Sequence, residues 1–492
     1  MATDTIQRDM QNAHEKFKRG QLSIQILLFS AIAVILISAF SFATLSFFKS
    51  SVRVFNKTLA FSVAEAGIEY YRWHLAHYPG DFEDGTGAPG PYTHDYYDKN
   101  GTRIGEFILD ITPPPPGTTV VTVRSTGKVL ADSSVEKIIE VRLGIPSLAA
   151  FAVIGDEGLY FGSSTTVYGK LHANGGIRFD GIAYNLMTSA QAQYDDWTHG
   201  GGVEFGVHTH ALPVDPVPPN PVPNRTDVFV AGRQFPVPAV DFDGITGDLA
   251  DIKALAQSGG RYVASSTTHL GYHIVLKADD TFDLFMIDEI KKKPPGCNDI
   301  IGQQGWGTWS IEQEHLVANY AFPANGLIFV EDNVWVDGTI DGARLTLAAG
   351  VFPENFLTYK NITVNRNLLY TRYDGSDAIG LISQNDVTVG LLSDDVLRID
   401  AAVTAQNGRF GRYYYRPGGS QGQGGCQPYH VRAAITTYGM IATSKDIQFS
   451  YGDNTGYLSR TFIYDTNLLF NPPPNFPPAG NEYEQLSWDE VK

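Results

Sequence analysis

The sequence predicts a mixed, mainly β protein led by one long helix that is transmembrane in its first half and amphipathic in its second. Three observations carry this. From Gln21 to Phe48 there is no charged residue, a run longer than the ~20 residues a helix needs to cross a bilayer. The 492 residues include Gly 50, Pro 27, Tyr 25 and Phe 28 against 18% charged residues, a balance that favours pleated surfaces punctuated by turns. Beyond residue 150, short alternating apolar pieces recur between Gly, Asn and Asp corners, as short strands do at a spacing of roughly 8–12 residues.

The helix comes first. Backbone groups in lipid must pair internally, so an apolar run of this length spans as a helix. Lys16, Lys18 and Arg19 flank its N-terminal side, which places the N-terminus in the cytoplasm and the rest of the chain outside. An ordinary signal peptide would have a shorter apolar region ending in a small-x-small site. Here Ala31 and Ala33 fall inside the run. Past the apolar run, Val52, Phe55, Leu59, Val63, Ala66 (or Gly67) and Tyr70 keep helical spacing, so the helix is expected to continue to about Leu75. That is ~80 Å at ~1.5 Å per residue.

Particular residues then carry a resemblance. A charged leader ends in Lys18-Arg19-Gly20 immediately before the apolar run, and Ala60-Phe61-Ser62-Val63-Ala64-Glu65-Ala66-Gly67-Ile68-Glu69 follows in the amphipathic half. Leader, long helix and β-rich head in that order resemble type IV pilins, and among them the PilX-like minor pilins. The resemblance covers about sixty residues closely. It implies a prepilin peptidase that cuts between Gly20 and Gln21, and other pilin subunits and the pilus assembly machinery as partners. It also implies subunit docking through Gln25, Glu65 and Glu69. Many major pilins carry glutamate at the fifth mature position; here that residue is Gln25. An amide cannot make the charged pair, so docking there is weaker, as in minor rather than filament-building subunits. The rival reading is a single-span membrane anchor that never enters a filament.

The expected organisation is a leader over 1–20, the pilin-like helix over 21–78 with its span at about 21–48, and a small β-sheet domain over 79–148. A Gly-rich β-solenoid-like domain over 149–470 and a Pro-rich tail over 471–492 complete it. Residues 80–101 read as a turn-rich polar loop. Arg103–Ile111, Thr118–Ser125 and Val135–Leu143 read as an antiparallel meander, with Phe107, Leu109 and Ile111 alternating. In the large domain, Gly155, Gly158, Gly162, Gly169, Gly175, Gly176 and Gly181 open the corner pattern. A right-handed parallel β-helix is the favoured architecture because its corners need left-handed residues that Gly and Asn supply; a β-sandwich is the alternative. Leu212–Pro223 reads as an extended polyproline segment. Residues 241–258 hold a short helix capped by Thr246 or Asp248. Trp488 is expected to pack back on the large domain.

Composition bounds the chemistry. A formal net charge of -17 argues against a nucleic-acid surface. Cys297 and Cys426 are the two cysteines, and outside the cytoplasm they either form one long-range disulfide or stay as thiols. His208-Thr209-His210, with His199 nearby, is a His-x-His pair lacking any carboxylate that spacing would fix, so no metal or cofactor is assigned. Asp241, Asp243, Asp248 and Asp251 lack the spacing of a calcium loop and suit helix capping. Asp279-Asp280 and Asp394-Asp395 are carboxylate pairs, but adjacent strand residues face opposite ways and both pairs fall at turns. A β-helical polysaccharide-active enzyme using such a carboxylate pair is the lesser alternative, but with no nucleophile elbow or phosphate loop no enzyme is expected. Tyr413, Tyr414 and Tyr415, between Arg412 and Arg416, are the candidate contact surface for a glycan or protein ligand.

Overall fold

α1 (Ala2–His77) runs unbroken through the apolar segment into the amphipathic one. In this computed structural model the described residues are 2–114, 119–145, 150–196, 202–242, 244–418, 424–469, 471–476 and 482–491; side chains are described outside 2–9, 11–23 and 244–248. The chain folds as two units. One comprises Met1–Thr112, Val123–Val141 and Ser487–Lys492, the other Pro113–Thr122 and Arg142–Leu486.

In the first unit, Ala60, Val63, Ala64, Ile68, Tyr71 and Leu75 form a buried stripe at helical spacing on α1. Their partner is the small sheet of β1 (Tyr92–Tyr97), β2 (Arg103–Thr112), β3 (Val121–Val129), β4 (Asp132–Gly144) and the last strand, Glu484–Val491, in that order. Small residues set how closely helix and sheet meet. A Cβ on Gly127 of β3 would lie 2.1 Å from the Ala60 carbonyl oxygen and 2.4 Å from the Ala64 nitrogen, and one on Gly67 would lie 2.3 Å from Ser125 Oγ. Two sequence expectations are corrected. β1 forms within the segment read as loop, because Tyr92 to Tyr97 alternate against Leu109 to Arg103 of β2. Trp488 packs not on the large domain but on α1, its ring 5.9 Å from that of Phe61.

The second unit is built from parallel ladders of short strands. Arg261–Val263, Leu327–Val330, Arg344–Ala349, Ala378–Ser383, Val396–Ala405 and Val431–Thr443 pair successively in parallel. The next partner of Val431–Thr443 is the earlier strand Val153–Gly155, followed by Leu171–Ala173, Met187–Ser189 and Arg233–Gln234. The beginning of the domain is thus stacked on its end. One residue from each of the eight strands between the two ends of this series forms an inward column in strict register: Ile328, Leu347, Leu381, Val403, Ile441, Val153, Leu171 and Met187. All are at most 2% exposed.

The residue beside each of these points the other way; in that column Phe329, Ala348, Ile382, Ala442 and Ile154 are apolar, and Thr404, His172 and Thr188 are polar. Leu249, Ile252 and Ala256 of α2 (Gly244–Gly259) cover it. The connection from Arg233–Gln234 to Arg261–Val263 runs along this face. Asn174 holds it at Val240 through two hydrogen bonds of 2.7 and 2.8 Å, and Asn325 donates to the Leu255 carbonyl at 3.2 Å.

The corner glycines act differently from the expectation. Of the seven named above, Gly169 has a positive φ, 143°. Gly175, Gly176 and Gly181 instead admit close neighbours: a Cβ there would lie 2.4 Å from Gly158 N, 2.0 Å from the Tyr194 ring and 2.0 Å from Thr165 O. The constraint is contact between segments rather than backbone handedness.

An outlying hairpin, Thr281–Ile290 with Ile311–Ala321, extends from strand Tyr272–Leu276. Buried His273 ties it to the stack, with Nδ1 2.8 Å from Glu314 Oε2 and Nε2 3.1 Å from Asp337 Oδ2. Burial alone would depress its pKa, but the hydrogen bonds and charges of Asp337 and Glu314 prevail and raise it from 6.5 to about 9.

Both the helix–sheet approach and the His273 tie can be tested by stability measurements. Gly127→Val places side-chain atoms where the α1 backbone lies, and overpacking of this kind costs about 1–3 kcal/mol; thermal unfolding of the detergent-solubilised chain should show a lower Tm, and an unchanged Tm would contradict the contact. For His273 the folded pKa lies above the ordinary one, so its stabilisation is complete below pH 6.5 and is lost as pH rises through about 9. The urea midpoint of the unit should fall over that window by the equivalent of roughly 2–3 kcal/mol, and His273→Gln should flatten the fall.

Candidate functional site

Two regions hold the candidate residues, one in each unit. On α1, Gly20 and Gln21 lie within the helical backbone, and their side chains fall outside the described residues. Gln25, Glu65 and Glu69 are exposed. Glu69 pairs with Arg72 one turn along the same helix at 3.0 Å. The exposed apolar residues extend from Ile24 to Phe55, and Phe40, Phe42 and Phe47 are 76%, 80% and 80% exposed.

In the second unit, Cys297 and Cys426 form a disulfide. Tyr413 and Tyr415 are buried beside it with Leu391, flanked by Trp306 and Trp309. The Tyr415 hydroxyl donates to the Gly307 carbonyl at 2.7 Å, and the buried Arg412 guanidinium sits 4.6 Å over its ring. The expected contact surface is therefore corrected: Tyr413 and Tyr415 wall the disulfide. Tyr414 is half-buried and donates to Asp453 at 2.8 Å. The carboxylate pairs serve local structure. Asp279 accepts from Thr281 at 2.6 Å, Asp280 has φ 61°, and Asp395 accepts from the Ala433 amide at 3.0 Å. Asp241 and Asp251 are exposed; the side chains of Asp243 and Asp248 lie outside the described residues, as does His199.

A cluster of titratable side chains is assembled by four short strands. Gln193–Asp195 pairs antiparallel with Val203–Phe205, Tyr194 standing opposite Glu204. Residues two apart on an extended strand share a face, so Asp196 continues the face that Tyr194 and Glu204 present. Val207–His208 then pairs in parallel with Ile177–Phe179, His208 beside Arg178. Extended spacing puts His208 and His210 on one side and Thr209 on the other. Asp180 and Asp215 hold that segment: Asp180 Oδ1 accepts the His210 amide at 2.7 Å, and Asp215 Oδ2 accepts the Thr209 amide at 3.1 Å.

Asp196 Oδ2 consequently lies 3.3 Å from His208 Nε2, and Glu204 Oε1 lies 3.9 Å from His210 Nε2. Asp196, Glu204 and His208 are 2%, 4% and 0% exposed. Burial lowers the pKa of His208 despite the nearby charges of Glu204 and Asp196, which raise it, and burial first, then Asp196, raises that of Tyr194. A groove of about 830 Å³ runs beside the cluster, lined by Tyr160, Arg178, Tyr194, Asp196, Gln448 and Arg460 among others. The His-x-His spacing was visible in the sequence. Asp196 and Glu204 were not, because strand pairing and not spacing delivers them.

No family model matches the chain, and no curated protein matches it. Among solved structures, the chain aligns with the competence-associated pilin ComZ from Thermus thermophilus at 14% identity, over 88% of this chain and 97% of that one, with a TM-score of 0.31.

Proposed function

We propose that the chain is a type IV pilin-like minor subunit, cleaved between Gly20 and Gln21, inserted through its N-terminal helix and displaying its β-rich domain outside the cytoplasm. The observation that carries this reading is the lengthwise division of one helix. Between Ala60 and Leu75, α1 buries a stripe against the small sheet. Between Ile24 and Phe55 it exposes aliphatic and phenylalanine side chains around its circumference. A helix apolar on all sides is stable only in lipid or among other helices. A pilin uses both in turn: the bilayer before assembly and neighbouring subunits' helices afterwards.

Further features support the reading. Ala60, Ala64 and Gly67, which carry the resemblance to PilX-like minor pilins, make the close approach to the sheet. The Cys297–Cys426 disulfide suits an oxidising compartment. Gln25 weakens the charged docking contact of major subunits and fits a minor position. A prepilin peptidase and other pilin subunits are the partners this role requires, and the role is structural rather than enzymatic.

Intact-mass measurement of membrane-extracted protein tests the proposal. The wild-type chain should begin at Gln21, and Gly20→Val should retain residues 1–20. A wild-type chain that keeps residues 1–20 would remove the pilin-specific reading and leave a single-span surface anchor.

A further inference from the structure

We infer that Asp196, Glu204, His208 and His210 form a structural site for one divalent transition-metal ion of zinc's chemistry. The donor set is two imidazoles and two carboxylates, which suits borderline ions such as zinc. The donor atoms of Asp196, His208 and His210 all lie within 4.8 Å of one another, and Glu204 Oε1 is 3.9 Å from His210 Nε2. A tetrahedral ion with bonds of ~2.0–2.1 Å holds its donors ~3.4 Å apart. Asp196 and His208 are already at 3.3 Å, and closing the remainder is within reach of side-chain rotation.

The surroundings match what a metal-binding histidine requires. A ligating imidazole is oriented by a partner on its other nitrogen. His208 Nδ1 lies 3.3 Å from the Tyr194 hydroxyl, which leaves Nε2 directed at Asp196. The backbone that presents the two histidines is held by Asp180 and Asp215, and Asp215 is itself paired with Arg233. The competing cation is Arg178, whose Nη1 is 3.7 Å from Asp196 Oδ2. Its Nε and Nη2 face Asp180 instead, at 3.0 and 2.9 Å. The groove is lined in part by Asp196 and an adjoining hollow of about 620 Å³ in part by His210, so an ion has a way in.

A bound ion would join the Gln193–Phe205 hairpin to strand Val207–His208, fastening an antiparallel excursion onto the parallel stack. The group of His269, Asp288 and His315 differs in kind. Each histidine there points Nδ1 at a separate oxygen of Asp288, at 3.0 and 2.7 Å, on a more open surface. Those contacts are satisfied as ordinary ion pairs.

The test uses the full chain in detergent, stripped with a chelator, reloaded with zinc chloride, dialysed and analysed for bound metal. The expected result is about one ion per chain, with affinity reduced ~tenfold or more in Asp196→Asn and His210→Gln and unchanged in His315→Gln. Zinc should also raise the Tm of the wild-type chain by mass action on the folded state. Failure of the wild-type chain to retain zinc, retention by both site variants, or loss only in His315→Gln would each overturn the inference. Should either site variant lose its circular-dichroism spectrum, X-ray absorption on the zinc-loaded wild-type chain decides. Two imidazoles with oxygen at ~2.0–2.1 Å support the site; an all-oxygen shell marks an adventitious ion and overturns it. None of these outcomes depends on leader cleavage.

Discussion

One aliphatic ladder constrains the large domain. Ile328, Leu347, Leu381, Val403, Ile441, Val153, Leu171 and Met187 stand in register, each a ladder step of ~4.8 Å from the next. A slip of one residue would replace a member of this column by its neighbour, which in several strands is Ala348, Thr404, Ala442, His172 or Thr188, leaving a void or a polar group in the aliphatic interior. Truncating one buried leucine of such a column costs about 2–5 kcal/mol. The ladder does not follow chain order, since Ile441 is succeeded by Val153. Because the first strands of the domain stack on the last, the chain must return along the outside of the stack, and the Asn174–Val240 clamp and α2 belong to that return.

The same constraint explains the sequence pattern. Strands that stack at ladder distance bring turns of successive coils into contact, and side chains there would collide. Gly175, Gly176 and Gly181 answer this by omission of a Cβ. Gly155 lies in a strand and not at a corner, and of the seven glycines read as corners Gly169 has the positive φ that left-handed backbone requires. The strand ladders of the stack are parallel.

How much was legible depended on the range of the interaction. Local periodicity places the apolar half and the end of the helix within a few residues, but the helix begins at Ala2 and not at 21. Of the expected face only Val63 and Gly67 are buried, since Val52 and Phe55 are exposed and the stripe that meets the sheet is Ala60, Val63, Ala64, Ile68, Tyr71 and Leu75. β2 and β4 were visible from alternation. β1 was hidden by the Gly and Pro residues that precede it, although Tyr92, His94 and Tyr96 alternate with Thr93, Asp95 and Tyr97. The pairing of Ile441 with Val153 joins residues far apart in the chain, and no local pattern announces it. The site behaves likewise: His208 and His210 are neighbours in sequence, whereas Asp196 and Glu204 reach them across a hairpin. Tyr413 and Tyr415 misled because aromatic residues beside arginine suit a contact surface and a core equally well; burial of the Cys297–Cys426 disulfide between them decides for the core.

One half of α1 buries a stripe against its own sheet and the other exposes apolar side chains, the division that the proposed pilin role requires. Mass spectrometry of surface filaments sheared from cells is the direct measurement. The account predicts the chain in that fraction, beginning at Gln21 and in minor amount. Recovery of the chain only in the membrane pellet, with residues 1–20 still attached, would contradict it.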